Sequence, residues 1–140
     1  MEVRSKIMKT IGPKRTRLEN AVARELWKRG LRFRRNTVDL MGRPDFAIKK
    51  YRVVIFIDSC FWHGCEKHGQ LPKSNQDFWA KKIKGNLERD RKVSEYYMKN
   101  GWNILRVWEH QLKDEFDKTI DEVCRFITEA KLRWKIESVD

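Results

Sequence analysis

Residues 53–68 read VVIFIDSCFWHGCEKH, and this stretch decides the fold. It begins with an apolar run that ends in one carboxylate, Asp58, as is typical of a strand covered on both faces. The residues that follow hold two of the three cysteines and two of the three histidines, around the aromatic pair Phe61-Trp62. Because thiolate and imidazole at this spacing suit tetrahedral zinc, the stretch predicts a metal site directly after a buried strand.

The sequence on either side alternates between strand and helix patterns. A capping box of Thr16 and Glu19 predicts a first helix, which Gly30 ends. Strands are predicted over residues 31–34, 45–48, 53–58 and 102–108, and helices over 75–84, 87–100 and from Leu112 onward, with Gly85-Asn86 as a break. This order predicts an α/β fold with a central mixed sheet flanked by helices. We expect residues 1–15 to form a basic arm and residues 16–140 a single domain.

The composition indicates a protein that binds nucleic acid. The 32 Lys and Arg residues against 20 Asp and Glu give a net charge of +12, and a positive field of this size attracts polyphosphate backbones. With six tryptophans also present, this interpretation is favoured over a charge kept for solubility or for an anionic membrane surface. The sequence has no apolar run of about 18 residues and no secretory signal. Its three cysteines fit a reducing cytoplasm, where we expect the protein to act.

Two carboxylates stand at the ends of predicted strands. Asp45 opens one strand and Asp58 closes the next, so adjacent strands would bring both acids together. Phosphodiester hydrolysis needs a divalent cation, and magnesium needs only one or two carboxylates with a backbone carbonyl. A charge that ends an apolar strand is costly unless it is paired or bound to metal. The pattern favours a metal site, and the alternative is that Asp45 caps a turn after Gly42 while Asp58 simply ends a strand.

Several motifs resemble the very short patch repair (Vsr) endonuclease family. They are Gly42-Arg43-Pro44-Asp45-Phe46, Cys60-Phe61-Trp62-His63, Phe78-Trp79, Gly85-Asn86-Leu87-Glu88-Arg89-Asp90-Arg91, and Gly101-Trp102 followed by Val107-Trp108-Glu109. The resemblance covers about residues 4 to 112. It implies a PD-(D/E)xK, restriction-endonuclease-like fold with a structural zinc. It also implies a magnesium-dependent enzyme that nicks DNA 5′ of the thymine in a T·G mismatch.

The resemblance assigns catalytic roles to individual residues. Asp45 matches the family's magnesium-binding aspartate, and Ile57 stands where a backbone carbonyl is lent to magnesium. His63 matches a catalytic histidine that acts as general acid or base, a role that histidine suits near neutral pH. Glu19 and Asp90 match acids that order water and the catalytic histidine. For Glu19, the capping box is an explanation that needs no chemistry.

The metal ligands depart from the family in detail. Asp58 stands where the best-known members carry a second histidine. A carboxylate there can bind magnesium directly, or recruit a second ion, but cannot shuttle protons at neutral pH. The zinc ligands that the resemblance implies are Cys60, Cys65, His68 and His110, a Cys2His2 set that zinc accepts. For His68, the alternative is a solvated loop residue.

The resemblance also implies how the DNA is contacted. Aromatic wedges, Phe61, Trp62 and Trp79, enter from the major-groove side and test how easily the duplex unstacks, while the arm closes over the minor groove. The residues assigned to DNA binding are Lys6, Met8, Ile11, Arg43, Phe61, Trp62, Trp79, Asn86 and Arg89. Core packing is the alternative for an aromatic residue, and we expect it for Trp27, Trp102 and Trp108.

Three functions are compatible with the sequence. The first is the mismatch-specific nicking enzyme, and the second is a nicking endonuclease of the same fold with a different mismatch, lesion or sequence trigger. The third is a non-catalytic, zinc-stabilised DNA-binding module, against which the joint presence of Asp45, His63 and Asp90 argues. The resemblance alone implies a monomer in the bacterial or archaeal cytoplasm that acts on mismatched double-stranded DNA. It also implies association with MutL and a cytosine methyltransferase.

Overall fold

The computed structural model describes residues 17–60 and 73–138. The described residues fall into two compact units that divide between Arg32 and Phe33. The first unit contains helix α1, residues 17–28. Gly30, at a φ of 88°, ends it as predicted, because the N–H groups of Gly30 and Leu31 close the last turn at 3.0 Å from the carbonyls of Trp27 and Leu26.

The side chains of α1 correct one prediction. Val22 and Leu26 are buried, but Trp27 is 55% exposed, so its assignment to the core is wrong. The Arg32 guanidinium lies 3.4 Å from the centre of the Trp27 ring and donates a hydrogen bond to the Trp27 carbonyl at 3.1 Å. Trp27 therefore packs against a cation at the surface.

The second unit is built on a mixed four-stranded sheet, as predicted. Its strands are β1 (Arg34–Arg35), β2 (Phe46–Ile48), β3 (Val53–Asp58) and β4 (Asn103–Trp108), in that spatial order. The β1–β2 and β2–β3 pairs are antiparallel and the β3–β4 pair is parallel. Strand β1 begins later than the predicted residues 31–34. A single 3-10 turn, Lys49–Tyr51, connects β2 to β3.

Helix α2 (Gln76–Lys99) runs through the predicted break without interruption. Gly85 lies inside it, and a Cβ atom at Gly85 would meet no other atom within 4 Å. A glycine costs a helix about 1 kcal/mol relative to alanine, and the burial of Ile83 and Tyr97 on either side of Gly85 offsets this cost. Gly101, at a φ of 76°, follows the end of the helix as predicted.

The C-terminal region forms two helices where one was predicted. Helix α3 (Glu109–Asp114) contains Leu112, and α4 (Phe116–Ser138) follows after Glu115, whose φ of −137° interrupts the helical backbone. The buried apolar residues of α4 are Ile120, Val123, Ile127 and Ala130, at helical spacing.

Every residue of β3 is buried, as predicted for a strand that is covered on both faces. Val54 and Phe56 pack in one cluster with Ala47 of β2 and Tyr97 of α2, so α2 covers this face of the sheet. The Tyr97 hydroxyl donates a hydrogen bond to the carbonyl of Met41. Burial raises the pKa of Tyr97 to about 12. Within the described residues, no helix is both long and apolar enough to cross a membrane.

Candidate functional site

A tight turn delivers Asp45 to the start of β2. The Arg43 N–H donates to the Leu40 carbonyl at 3.2 Å, and Gly42 has a φ of 76°. A Cβ atom at Gly42 would lie 2.9 Å from a methyl carbon of Val93 on α2, so only glycine fits there. Asp45 is 4% exposed. The turn therefore places a carboxylate in the interior instead of in solvent.

The Asp45 carboxylate lies against the last turn of the β3 ladder. Its Oδ2 accepts the Ile57 N–H at 2.7 Å. The N–H and C=O of one strand residue point to the same side, so the Ile57 carbonyl also faces this carboxylate. The β2–β3 register, continued past Phe46↔Ile55, sets Pro44 opposite Ile57. Because proline has no N–H, Pro44 cannot donate a hydrogen bond to the Ile57 carbonyl.

Asp58 ends β3 and is paired with an arginine of the neighbouring strand. Its side chain is 8% exposed, and its Oδ1 accepts a hydrogen bond from Nη1 of Arg106 at 2.9 Å. The sequence interpretation did not include Arg106. The sequence did contain a signal for this pair. Arg106 lies inside an apolar strand, the neighbouring strand ends in Asp58, and a buried charge is stable only with a partner of opposite charge.

Asp90 is tied to the same guanidinium from α2. Its Oδ1 lies 3.8 Å from Nη1 of Arg106, and its backbone carbonyl accepts a hydrogen bond from Nη2 at 3.3 Å. The Nε–H of Arg106 donates to Oγ of Ser94 at 3.0 Å. The structure thus brings two of the predicted site acids, Asp58 and Asp90, to one arginine.

Glu19 lies on α1 in the first unit and is 8% exposed. Glu25 of the same helix, in contrast, forms an exposed pair with Arg29 at 3.3 Å. The proposed capping partner of Glu19, Thr16, lies outside the described residues. Removal of a carboxylate charge from water costs free energy, so the burial of Glu19 is not explained by a role in solubility.

Two of the four predicted zinc ligands lie side by side. Sγ of Cys60 is 3.2 Å from Nδ1 of His110. The parallel register pairs Asp58 with Trp108, so the residues two positions later on each chain segment emerge at the same edge of the sheet. The His110 ring also stacks on Trp108, with ring centres 6.3 Å apart. Two tetrahedral zinc ligands at ordinary bond lengths lie roughly 3.6 Å apart, so this pair fits the metal.

Several residues predicted to contact DNA lie on α2. Trp79 is half-buried near its start, and the neighbouring Phe78 is 57% exposed. Asn86 accepts a hydrogen bond from Arg89 one turn later. Arg43 is exposed on its turn.

The remaining predicted site residues fall outside the described part of the chain. They are Lys6, Met8, Ile11, Phe61, Trp62, His63, Cys65 and His68. Within residues 17–60 and 73–138, no three His, Cys, Asp or Glu side chains form a group that could hold a metal ion. The catalytic histidine and two of the zinc ligands are thus predictions from sequence alone.

Comparison with known proteins gives the evolutionary relationship. A family model described as DNA mismatch endonuclease Vsr matches residues 1–68. A type II nicking enzyme of Haemophilus parainfluenzae, V.HpaIIP, is 40% identical over 137 residues, which cover 94% of this chain and 96% of that protein. The chain belongs to the Vsr family. Another relative is the DNA mismatch endonuclease Vsr of Escherichia coli, 39% identical over 132 residues, or 94% of this chain and 82% of that protein.

A further Vsr relative is V.NmeAIP of Neisseria meningitidis, a type II nicking enzyme that is 43% identical over 114 residues, or 80% of this chain and 81% of that protein. Family membership makes this protein a DNA endonuclease. The mixed four-stranded sheet with helices fits a Vsr nuclease fold.

Proposed function

We propose that this Vsr protein is a magnesium-dependent mismatch endonuclease that nicks one DNA strand 5′ of the thymine of a T·G mismatch. The observation that carries the proposal is the buried Asp45 carboxylate, held by the Ile57 N–H at the end of β3. Two relatives are named mismatch endonuclease and type II nicking enzyme, which supports cleavage of one strand at a mispair.

The cation is assigned to Asp45 and the Ile57 carbonyl. Both groups are hard oxygen donors, and magnesium accepts one or two protein ligands while it keeps several waters. When bound, magnesium supplies charge neutralisation at the scissile phosphate and activation of water. The hydrogen bond from the Ile57 N–H orients the carboxylate, so that its position does not depend on the cation. Asp58, whose Oδ1 pairs with Arg106, is the competing ligand.

Proton transfer is assigned to His63, in keeping with family membership. Histidine is the side chain that exchanges a proton most readily near neutral pH. Asp90 and Glu19 are assigned the ordering of water and of this histidine. The contact between Asp90 and Arg106 supports the assignment for Asp90, because it restrains the orientation of the carboxylate.

A structural zinc is assigned to Cys60, Cys65, His68 and His110. The 3.2 Å separation of the Cys60 sulfur and the His110 imidazole nitrogen supports this assignment. The two ligands emerge directly after β3 and β4, so the metal would fix the segment that follows Asp58 to the start of α3. His63 lies on that segment.

Recognition of the mispair is assigned to aromatic wedges and the N-terminal arm. A wobble pair unstacks more readily than a matched pair, which a wedge exploits at a cost of a few kcal/mol per base step. Phe61, Trp62 and Trp79 are the wedges. The remaining contacts are assigned to Lys6, Met8, Ile11, Arg43, Asn86 and Arg89. The net charge of +12 supports binding to the DNA backbone.

The cellular setting is inferred from the family. We place the protein in the cytoplasm of a bacterium or archaeon, as a monomer on mismatched DNA. Association with MutL and with a cytosine methyltransferase is part of the same proposal.

A nicking assay tests the proposed function. Duplexes labelled separately on each strand, identical except for T·G or T·A at one position, are incubated with protein and magnesium and resolved on denaturing gels. We expect one cut, 5′ of the mismatched thymine, in the T·G duplex alone. Equal cleavage of the T·A duplex would contradict mismatch recognition, and no cleavage of any duplex would contradict the nuclease assignment.

A different trigger is the second candidate. Two observations favour this candidate. Asp58 stands where the best-known family members carry a histidine, and several relatives are named type II nicking enzymes. A panel of all mispairs and common base lesions in several sequence contexts distinguishes the two. Preferential cleavage of another mispair or of a lesion would replace T·G in the proposal.

A further inference from the structure

Arg106 lies at the centre of a contact network that joins three elements of the sheet unit. It stands on β4 opposite Phe56 of β3, and its guanidinium lies 4.4 Å from the centre of the Phe56 ring. The guanidinium donates three hydrogen bonds. Nη1 donates to the Asp58 carboxylate, Nη2 donates to the backbone carbonyl of Asp90, and Nε donates to the hydroxyl of Ser94. Each nitrogen thus has its own partner, an arrangement that the planar fork of arginine allows and lysine cannot reproduce.

The network places one cation between two acids. The Arg106 side chain is 22% exposed, and the side chains of Asp58 and Asp90 are 8% and 25% exposed. A carboxylate as buried as Asp58 is tolerated only with a compensating positive charge. The 2.9 Å contact with Arg106 supplies that charge within the protein itself.

We propose that Arg106 is a positioning residue of the catalytic centre, which holds Asp58 as its own counter-ion and sets the position of Asp90. Asp58 is then not a ligand of the catalytic cation, and the site holds a single cation at Asp45 and the Ile57 carbonyl. This inference rests on the proposed metal-dependent activity and extends it. It answers the question that the acid at position 58 raises, whether it adds a metal ligand.

Electrostatic repulsion favours Asp58 as the partner of Arg106 over Asp58 as a ligand of the cation. A divalent cation bound to Asp58 would lie within a few ångströms of the Arg106 guanidinium, and the two positive charges would repel each other in a poorly solvated site. Asp45 accepts a hydrogen bond from the neutral Ile57 N–H, whereas Asp58 accepts one from a charged guanidinium. The two acids therefore differ in the partner that their surroundings supply.

Cation binding to the zinc-loaded full chain tests this assignment directly. Manganese(II), which gives an electron paramagnetic resonance signal when free, is titrated into the native protein and into Asp45→Asn and Asp58→Asn variants. We expect Asp45→Asn to weaken binding by at least about tenfold and Asp58→Asn to change it by less than about threefold. A tenfold loss in Asp58→Asn would make Asp58 a ligand and overturn the inference.

Substitution of Arg106 tests the positioning role. In Arg106→Lys the positive charge stays but the separate partners are lost, so we expect kcat for nicking to fall by at least about tenfold while KM for DNA changes less than about threefold. Arg133→Lys is the matched control, because Arg133 pairs with Asn103 at the other end of β4 at 2.7 Å. An unchanged kcat in Arg106→Lys would overturn the inference.

Removal of the guanidinium gives a second, independent readout. Arg106→Gln leaves the carboxylates of Asp58 and Asp90 without their shared cation, and we expect it to bind a second manganese ion, which the double variant with Asp58→Asn does not bind. A single ion in Arg106→Gln would overturn the inference. If this variant does not fold, Arg106→Lys decides instead. Nicking that survives Asp45→Asn would refute the proposed metal site, and the manganese titration of Asp58→Asn tests the role of Asp58 separately.

Discussion

Charged residues are buried at one end of the parallel β3–β4 pair and exposed to solvent at the other end. At the end of these strands, Asp58 is buried and paired with Arg106, and Asp45 is buried against the Ile57 N–H. At their beginning, a pocket is lined by Arg52, Asn103, Arg133 and Trp134 among others, and its carboxylate, Glu137, is exposed. Lys50 lies 5.2 Å from the centre of the Trp134 ring.

The difference shows where the fold has accepted an electrostatic cost. Charges at the beginning of the strands stay in water and cost little. Charges at their end are removed from water, which is tolerated only with close partners. The comparison predicts that conservative changes at the end of the strands lower the nicking rate, and that equivalent changes at their beginning do not.

The largest effect is expected at Asp45. Asp45→Asn keeps the size of the side chain but removes the charge that is proposed to hold the cation, and we expect the nicking rate to fall by at least about 1000-fold. Glu137→Gln is the matched change at the other end of the strands and should leave the rate within about twofold. Single-turnover nicking rates on the T·G duplex measure both effects. Equal rates in the two variants would contradict the claim that the two ends of the strands differ in their importance for activity.

Zinc should be needed to complete the functional end of the sheet. Cys60→Ser removes a proposed thiolate ligand, and we expect zinc affinity to fall by roughly 100-fold, with loss of nicking. Cys124→Ser is the control, since Cys124 lies half-buried on α4. Metal content after dialysis reports the outcome, and a Cys60→Ser protein that keeps stoichiometric zinc would exclude this site.

Two glycines provide a smaller and opposite pair of effects. Gly42→Ala is expected to destabilise the protein by about 1–3 kcal/mol, because of its positive φ and the 2.9 Å approach to Val93. It should also displace Asp45 and slow nicking. Gly85→Ala, inside α2 with open space around it, should stabilise the fold by roughly 0.5–1 kcal/mol. Urea unfolding measures both, and a stabilised Gly42→Ala would show that the turn is not under steric restraint.

The smallest effect concerns the pH dependence of stability. Burial raises the pKa of Tyr97 from 10.0 to about 12, so the folded protein keeps this proton over a range in which the unfolded chain loses it. The contribution of the protonated Tyr97 hydroxyl to the free energy of unfolding is therefore fully present below pH 10 and is lost as the pH rises towards 12. Tyr97→Phe should reduce the fall in unfolding free energy across this window. An identical fall in both proteins would assign the pH dependence to other groups.

The sequence predicted the parts of the fold that depend on local pattern. The apolar run of β3 and the glycines after α1 and α2 correspond to single local signals, and the structure agrees with each. Gly85 was read as a break because glycine disfavours helix locally. Burial of Ile83 and Tyr97 in the folded protein overrides that preference, and this burial is not visible in a short stretch of sequence.

The sequence could indicate where individual residues of the candidate site lie and which adjacent strands carry them. Asp45 and Asp58 were placed at strand ends, and the pairing of Cys60 with His110 follows from the parallel register. The Arg106 contacts were missed because they join β3, β4 and α2, and their partners are separated by 16 and 48 residues in the chain. Such contacts depend on the tertiary arrangement.

Anomalous diffraction tests the central claim most directly. Crystals of the zinc-loaded protein with manganese and a T·G duplex are measured at the absorption edges of both metals. We predict a manganese peak at about 2.2 Å from an Asp45 oxygen and the Ile57 carbonyl, and a zinc peak between Cys60 and His110. A manganese peak coordinated by Asp58, with Asp45 away from it, would contradict the account.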